Sequence, residues 1–163
     1  MNSTLFRRTA AALGCAAVLI AASTVTSAHA QEPAPAAPAA TEDWNPFSRS
    51  GTRAYLADLT SLKTGETVSI RLARAPLTSQ AGDYSHTVDD YEFQCSAGQV
   101  RVVATTDYGP DGVQSDRVPQ EAAWEDIPAN SLDAYLKGVA CDGARAEVPN
   151  WPSIKAFIDA GRP

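Results

Sequence analysis

Residues 88–106 read VDDYEFQCSAGQVRVVATT, and this stretch decides the fold. In its first half Tyr91, Phe93 and Cys95 alternate with Asp90, Glu92 and Gln94, the period-2 pattern of a strand with one wet face. Ser96, Ala97, Gly98 and Gln99 make a short hairpin connection in which Gly98 is free to take positive φ. Residues 100–106 are β-branched and rich in strand formers. The pair is therefore an antiparallel hairpin. Upstream, Val68, Ile70 and Leu72 alternate with Thr67, Ser69 and Arg71 after a turn around Gly65, which predicts a further strand. Residues 53–58 (RAYLAD) predict a short one before it, with Tyr55 and Ala57 on one face. Pro76 to Ser85 is a polar connection.

Downstream, Tyr108, Gly109, Pro110, Asp111 and Gly112 carry turn chemistry. Residues 113–118 are expected to return as another strand that ends at Pro119, and 124–128 as a short extended piece. Leu132, Tyr135, Leu136 and Val139 then recur at helical spacing behind Asn130 and Ser131, either a good N-cap, with Asp133 suited to the first turn. A second helix is expected after Asn150, with Pro152 in its first turn, an apolar stripe of Trp151, Ile154, Phe157 and Ile158, and Gly161 at its end. Strands followed by helices, with hairpin-length connections, predict an α+β domain. Its antiparallel sheet has about five to six strands, and two short C-terminal helices pack on it.

The N-terminus sets the compartment. Residues 1–30 carry Arg7 and Arg8, an apolar run from Ala10 to Ala22, and Ala28, His29 and Ala30 as an A-x-A cleavage site, which predicts a secretory signal peptide. Cys15 after Ala12, Leu13 and Gly14 resembles a lipoprotein box but stands too early, with most of the apolar run behind it. The twin arginine has no further support. The run is shorter than the ~20 residues of a membrane span, and no other segment approaches that length. Residues 31–43 begin QEPAPAAPAAT, a Pro/Ala-rich linker, and 44–163 are expected to form a single domain. Removing residues 1–30 leaves 11 basic against 19 acidic residues, a net charge of −8. Such a chain is a poor partner for nucleic acid or anionic lipid.

Cys95 and Cys141 remain as an even pair in an oxidising compartment, which predicts one internal disulfide, with two buried thiols as the competing reading. The bond would tie the central hairpin to the end of the first helix.

Five pieces stand in order: Trp44; the strand ending near Asp58; the strand after the Lys/Thr-Gly turn (62–72); the E-F-x-C strand with the R-V strand behind it (92–103); and W-x-x-I-P-x-x-S running from Trp124 through Pro128 and Ser131 to Cys141. Their order resembles the surface-adhesin protein E family of Gram-negative bacteria. The resemblance covers about residues 44–142. It implies a small secreted or envelope-associated α+β domain with an internal disulfide, in a family whose namesake is a host-matrix-binding surface lipoprotein. Trp44, Cys95, Trp124, Pro128, Ser131 and Cys141 read as structural pins within it.

The residues offer no catalytic constellation. His86 is the sole histidine after the leader and lies beside Ser85 in a polar loop. Asp89, Asp90 and Glu92 are the densest carboxylates, with Asp90 and Glu92 on the wet face and Asp89 facing inward. They read as a solvated acidic edge that discourages edge-to-edge pairing. Asp107, Asp111 and Asp116 flank a turn but lack the spacing of a calcium loop. With one histidine and no Cys-x-x-Cys, no metal site or cofactor is expected. The expectation is a secreted or envelope-associated, non-catalytic binding module, adhesin-like, contacting an extracellular-matrix or envelope protein, with Tyr84, Tyr91 and Tyr108 as candidate contacts. The alternatives are a periplasmic structural or assembly protein and, less favoured, a small hydrolase using His86.

Overall fold

The computed structural model describes residues 41–163; the expected leader and most of the linker lie outside the described residues. Five long strands form an antiparallel meander in chain order: β1 (Trp44–Arg49), β2 (Arg53–Lys63), β3 (Val68–Pro76), β4 (His86–Gln94) and β5 (Gln99–Tyr108). Two two-residue strands, β6 (Val118–Pro119) and β7 (Glu125–Asp126), both pair with the outer edge of β5. Helices α1 (Leu132–Cys141) and α2 (Ile154–Asp159) follow. The α+β architecture, the antiparallel sheet and the two short helices agree with the sequence pattern. Among the described residues no helix is long and apolar enough to cross a membrane.

The hairpin of residues 88–106 forms with Gly98 at φ 68°. Its amide donates to the Gln94 carbonyl at 2.9 Å, closing the turn. The Cys95 and Cys141 sulfurs are bonded across 46 residues of sequence, with Cα atoms 5.8 Å apart. A loop of that length corresponds to about 4 kcal/mol in the chain-entropy account.

The two helices take opposite faces of the sheet. Side chains alternate along β3, so Leu72 and Ala73 point to opposite sides. Val68, Ile70 and Leu72 join Tyr91, Phe93, Leu136 and Val139 in a core under α1. Ala73 and Ala75 join Trp44, Leu56, Val88, Phe157 and Ile158 in a second core under α2. The alanines at 54, 73 and 75 leave room for this six-residue helix, whose Phe157 is fully buried, to sit close to the strands.

Three local expectations are corrected, and one strand adds to them. Trp44 begins a strand, and its backbone exchanges two 2.9 Å hydrogen bonds with Trp151. β2 is buried on both faces, with Leu56 as enclosed as Ala57, and it continues past Asp58 to Lys63 through a register shift. At that shift the Asp58 carboxylate accepts from the Thr60 amide and hydroxyl. The return strand over 113–118 shrinks to a bridge at Gln114 and the pair Val118–Pro119, since Val113 and Val118 stand 65% and 55% exposed with nothing to bury against. Helix α2 starts at Ile154 under a Ser153 cap rather than after Asn150. Asn150 instead accepts from the buried Asn45 amide at 2.7 Å, and Trp151 is held by β1. Helix α1 begins as expected, with the Ser131 hydroxyl accepting from the Ala134 amide.

Candidate functional site

Because α2 is short, it covers only the half of its face that carries Ala54, Leu56, Ala73, Ala75 and Val88. The other half is an open groove of about 470 Å³ running across β2, β3, β4 and β5. Its floor consists of charged side chains in cross-strand register. Asp58, Arg71 and Asp90 stand opposite one another on three neighbouring strands. Lys63, Ser69, Glu92 and Arg101 form the next row.

Opposite charges meet along these rows. Arg71 pairs with Asp58 and with Glu42 (3.1 Å), and lies over the Trp44 ring at 5.5 Å. Arg117 reaches in from the segment before β6 to pair with Asp90 at 2.6 Å. Arg101 donates to Glu92 through two nitrogens at 2.8 and 2.6 Å and lies over the Trp124 ring at 4.4 Å. Burial works against the Asp58 charge. The hydrogen bonds from Thr60 and Arg71 and the Arg71 charge outweigh it, so the Asp58 pKa lies below the ordinary carboxylate value. Arg71 is pushed above its ordinary value: burial opposes its charge, but the hydrogen bonds and charges of Asp58 and Glu42 together outweigh it. The floor is a set of ion pairs presenting planar guanidinium groups and the Asp90 and Glu92 carboxylates to solvent, with the Asp58 carboxylate buried beneath them.

The dense carboxylates divide as the alternation required. Asp90 and Glu92 lie on the groove face and Asp89 on the other, where it is 2% exposed. The idea of a solvated acidic edge is corrected, because β4 is an interior strand between β3 and β5 and each carboxylate meets an arginine from its surroundings. Asp89 pairs with Arg74 at 2.7 Å and accepts from the Thr105 hydroxyl at 2.8 Å. Burial nonetheless raises its pKa.

His86 lines a shallow pocket of about 260 Å³ at the strand ends, together with Arg53, Arg74, Thr87 and Asp107. Its ring stacks on Tyr108 with centroids 4.1 Å apart, and its Nδ1 contacts the Tyr84 carbonyl at 2.7 Å. A carbonyl only accepts, so Nδ1 carries a proton. Burial lowers the His86 pKa, which favours the neutral ring. Among the described residues its ring makes no hydrogen bond to a carboxylate or to a serine. Asp107 accepts from Thr87, Asp111 from the Val113 amide, and Asp116 gives its carbonyl to the Ser115 hydroxyl. Among the described residues no group of three or more His, Cys, Asp or Glu side chains is arranged to hold a metal.

The tyrosines divide as well. Tyr91 is buried under α1, and burial raises its pKa. Tyr84 and Tyr108 are half-buried, pack against the α2 core and keep their hydroxyls on Asp159 and Gln114. Sequence reading did not find the arginines that organise the groove. The signal available was one charge on the same face of each of three strands, Asp58, Arg71 and Asp90, and their meeting becomes legible only once the strand register is known.

No curated protein and no solved structure matches the chain. The family model described as surface-adhesin protein E matches residues 44–142, a span that holds all seven strands, the disulfide and α1. The chain belongs to the surface-adhesin protein E family.

Proposed function

We propose that this chain is an exported, envelope-associated, non-catalytic binding module that contacts an extracellular protein. The observation that carries this reading is the family match over 44–142. On this reading residues 1–30 are a cleaved leader, 31–43 a spacer and 44–163 the binding domain. The open half of the α2 face is its contact surface. Paired side chains such as Arg101 with Glu92 favour that role, because they offer directional donors and acceptors without a net local charge. Arg117, at 54% side-chain exposure, is the group best placed to exchange its Asp90 partner for one on another protein.

The test is protease treatment of intact producing cells, with a periplasmic protein as control. Degradation of the domain while the control survives is the expected result, and it directs a binding screen to extracellular-matrix proteins. Survival of the domain together with the control overturns surface contact and points to a periplasmic structural or assembly role.

A further inference from the structure

On the other face, at the outer edge of the sheet, β5 meets two short strands, and the Val103 carbonyl beside them accepts from the Gln120 amide at 2.9 Å. β6 pairs with Ala104 and Thr105, and β7 with Gln99 and Val100. Residues 120–124 join the two short strands, and beside them lies a pocket of about 160 Å³. Val100 and Val102 line its floor, and Ala122 and Ala123 one wall. Two carboxylates border it, Glu125 from β7 and Asp133 from the first turn of α1.

Neither carboxylate forms an ion pair among the described residues. After burial, the Glu125 charge is the next cause holding the Asp133 pKa above its ordinary value. The one cation in the lining, Arg101, is turned to the opposite face, where Glu92 and Trp124 hold it. The surrounding chain adds to the imbalance. Residues 110–126 contain Asp111, Asp116, Glu121, Glu125 and Asp126 against the single Arg117, which is paired with Asp90. Tyr91 also lines the pocket, and its hydroxyl donates a hydrogen bond to Asp133. The pocket thus combines apolar walls with two carboxylates that no cation neutralises among the described residues.

A cation on a long apolar stem satisfies both parts, its methylenes against the valines and alanines and its charge between the carboxylates. An ammonium suits this better than a guanidinium. Its three donors diverge from one nitrogen toward carboxylates from two separate elements, whereas the planar fork of arginine favours a single carboxylate. We propose that this pocket receives a lysine side chain of the extracellular protein that the domain binds. The proposal rests on the binding-module reading and names the chemistry of the partner.

The test uses the full secreted chain in an NMR titration with Nα-acetyl-lysine N-methylamide. The Nε-acetylated lysine and the norleucine analogue serve as chargeless controls. The expected result is saturable shifts at Val100, Val102, Ala122 and Ala123 with lysine only, and affinity about fivefold weaker in Glu125→Gln, the order of one ion pair. Unchanged signals elsewhere in Glu125→Gln establish that it is folded. Absence of saturable shifts, equal binding of norleucine, or equal affinity in Glu125→Gln overturns the proposal. Ala123→Leu, which fills the pocket, provides a second arm. If the wild-type chain binds a matrix protein and both variants bind it equally, the pocket fails while the binding-module reading stands. If lysine binds as expected but the domain resists protease on intact cells, the pocket stands and surface contact fails.

Discussion

Removing Arg71 should destabilise the domain more than removing the charge it neutralises. Asp58 has a fully buried side chain, whereas Arg71 keeps about a third of its side chain in water (34%). Arg71→Met leaves a buried carboxylate supported only by Thr60 and the Asp43 amide. An uncompensated buried charge costs ~3–5 kcal/mol, and the partial exposure of this pair places the loss near the lower bound. Asp58→Asn removes the charge but keeps an acceptor, and Arg71 retains Glu42, so a loss of about 1–2 kcal/mol is expected. With a urea slope of roughly 1.5 kcal/mol/M, the midpoints should fall by about 2 M for Arg71→Met and by about 1 M for Asp58→Asn. Tryptophan fluorescence reads the transition, because the buried Trp44 ring lies 5.5 Å beneath Arg71. The double variant should be less destabilised than Arg71→Met alone, since both charges are then gone. The pH dependence has a definite sign. The folded-state pKa of Asp58 is lowered, so its contribution is present above the unfolded carboxylate pKa of about 4 and is lost as pH falls through the lower folded value. In Arg71→Met that acid-side loss should shrink, because burial then acts with less opposition. Equal losses for the two single variants, or a double variant worse than Arg71→Met, would refute the account of a buried carboxylate held charged by Arg71.

Three further outcomes follow from the same architecture. Phe157→Ala, in a helix beyond the family-matched span, should cost about 3–5 kcal/mol in urea unfolding because Phe157 is fully buried against the alanine-lined face; a loss below about 1 kcal/mol would mean α2 is dispensable. Reducing the bond between Cys95 and Cys141 should lower stability by up to about 4 kcal/mol, and the loss should vanish in a Cys95→Ala/Cys141→Ala variant, which starts from the lowered value with or without reductant. Ser131→Ala should cost about 1 kcal/mol through the lost cap on the Ala134 amide, with amide exchange in the first turn of α1 as the readout.

Much of the fold was legible in the chain because it rests on local periodicity. The 88–106 hairpin, the alternation of Val68, Ile70 and Leu72, and the helical spacing of Leu132, Leu136 and Val139 each report a face to be buried, and each element formed where its pattern lies. The cysteine pairing was legible as arithmetic. Residues 113–118 misled for the complementary reason: β-propensity describes a fit to a half-buried surface, and no such surface faces Val113 or Val118. Asn150 misled because a side chain that caps well also satisfies a buried amide well, and Asn45, distant in sequence, claimed it.

The sequence by itself determined which side of each strand is apolar, where the turns fall and which residues carry charge. Only the tertiary structure decided which charges meet. Asp58, Arg71 and Asp90 come into one row through strand register, and Glu125 and Asp133 converge because β7 pairs with β5 near the first turn of α1. Periodicity is a property of neighbours along the chain, whereas an ion pair or a pocket depends on distances between segments that the local pattern does not encode.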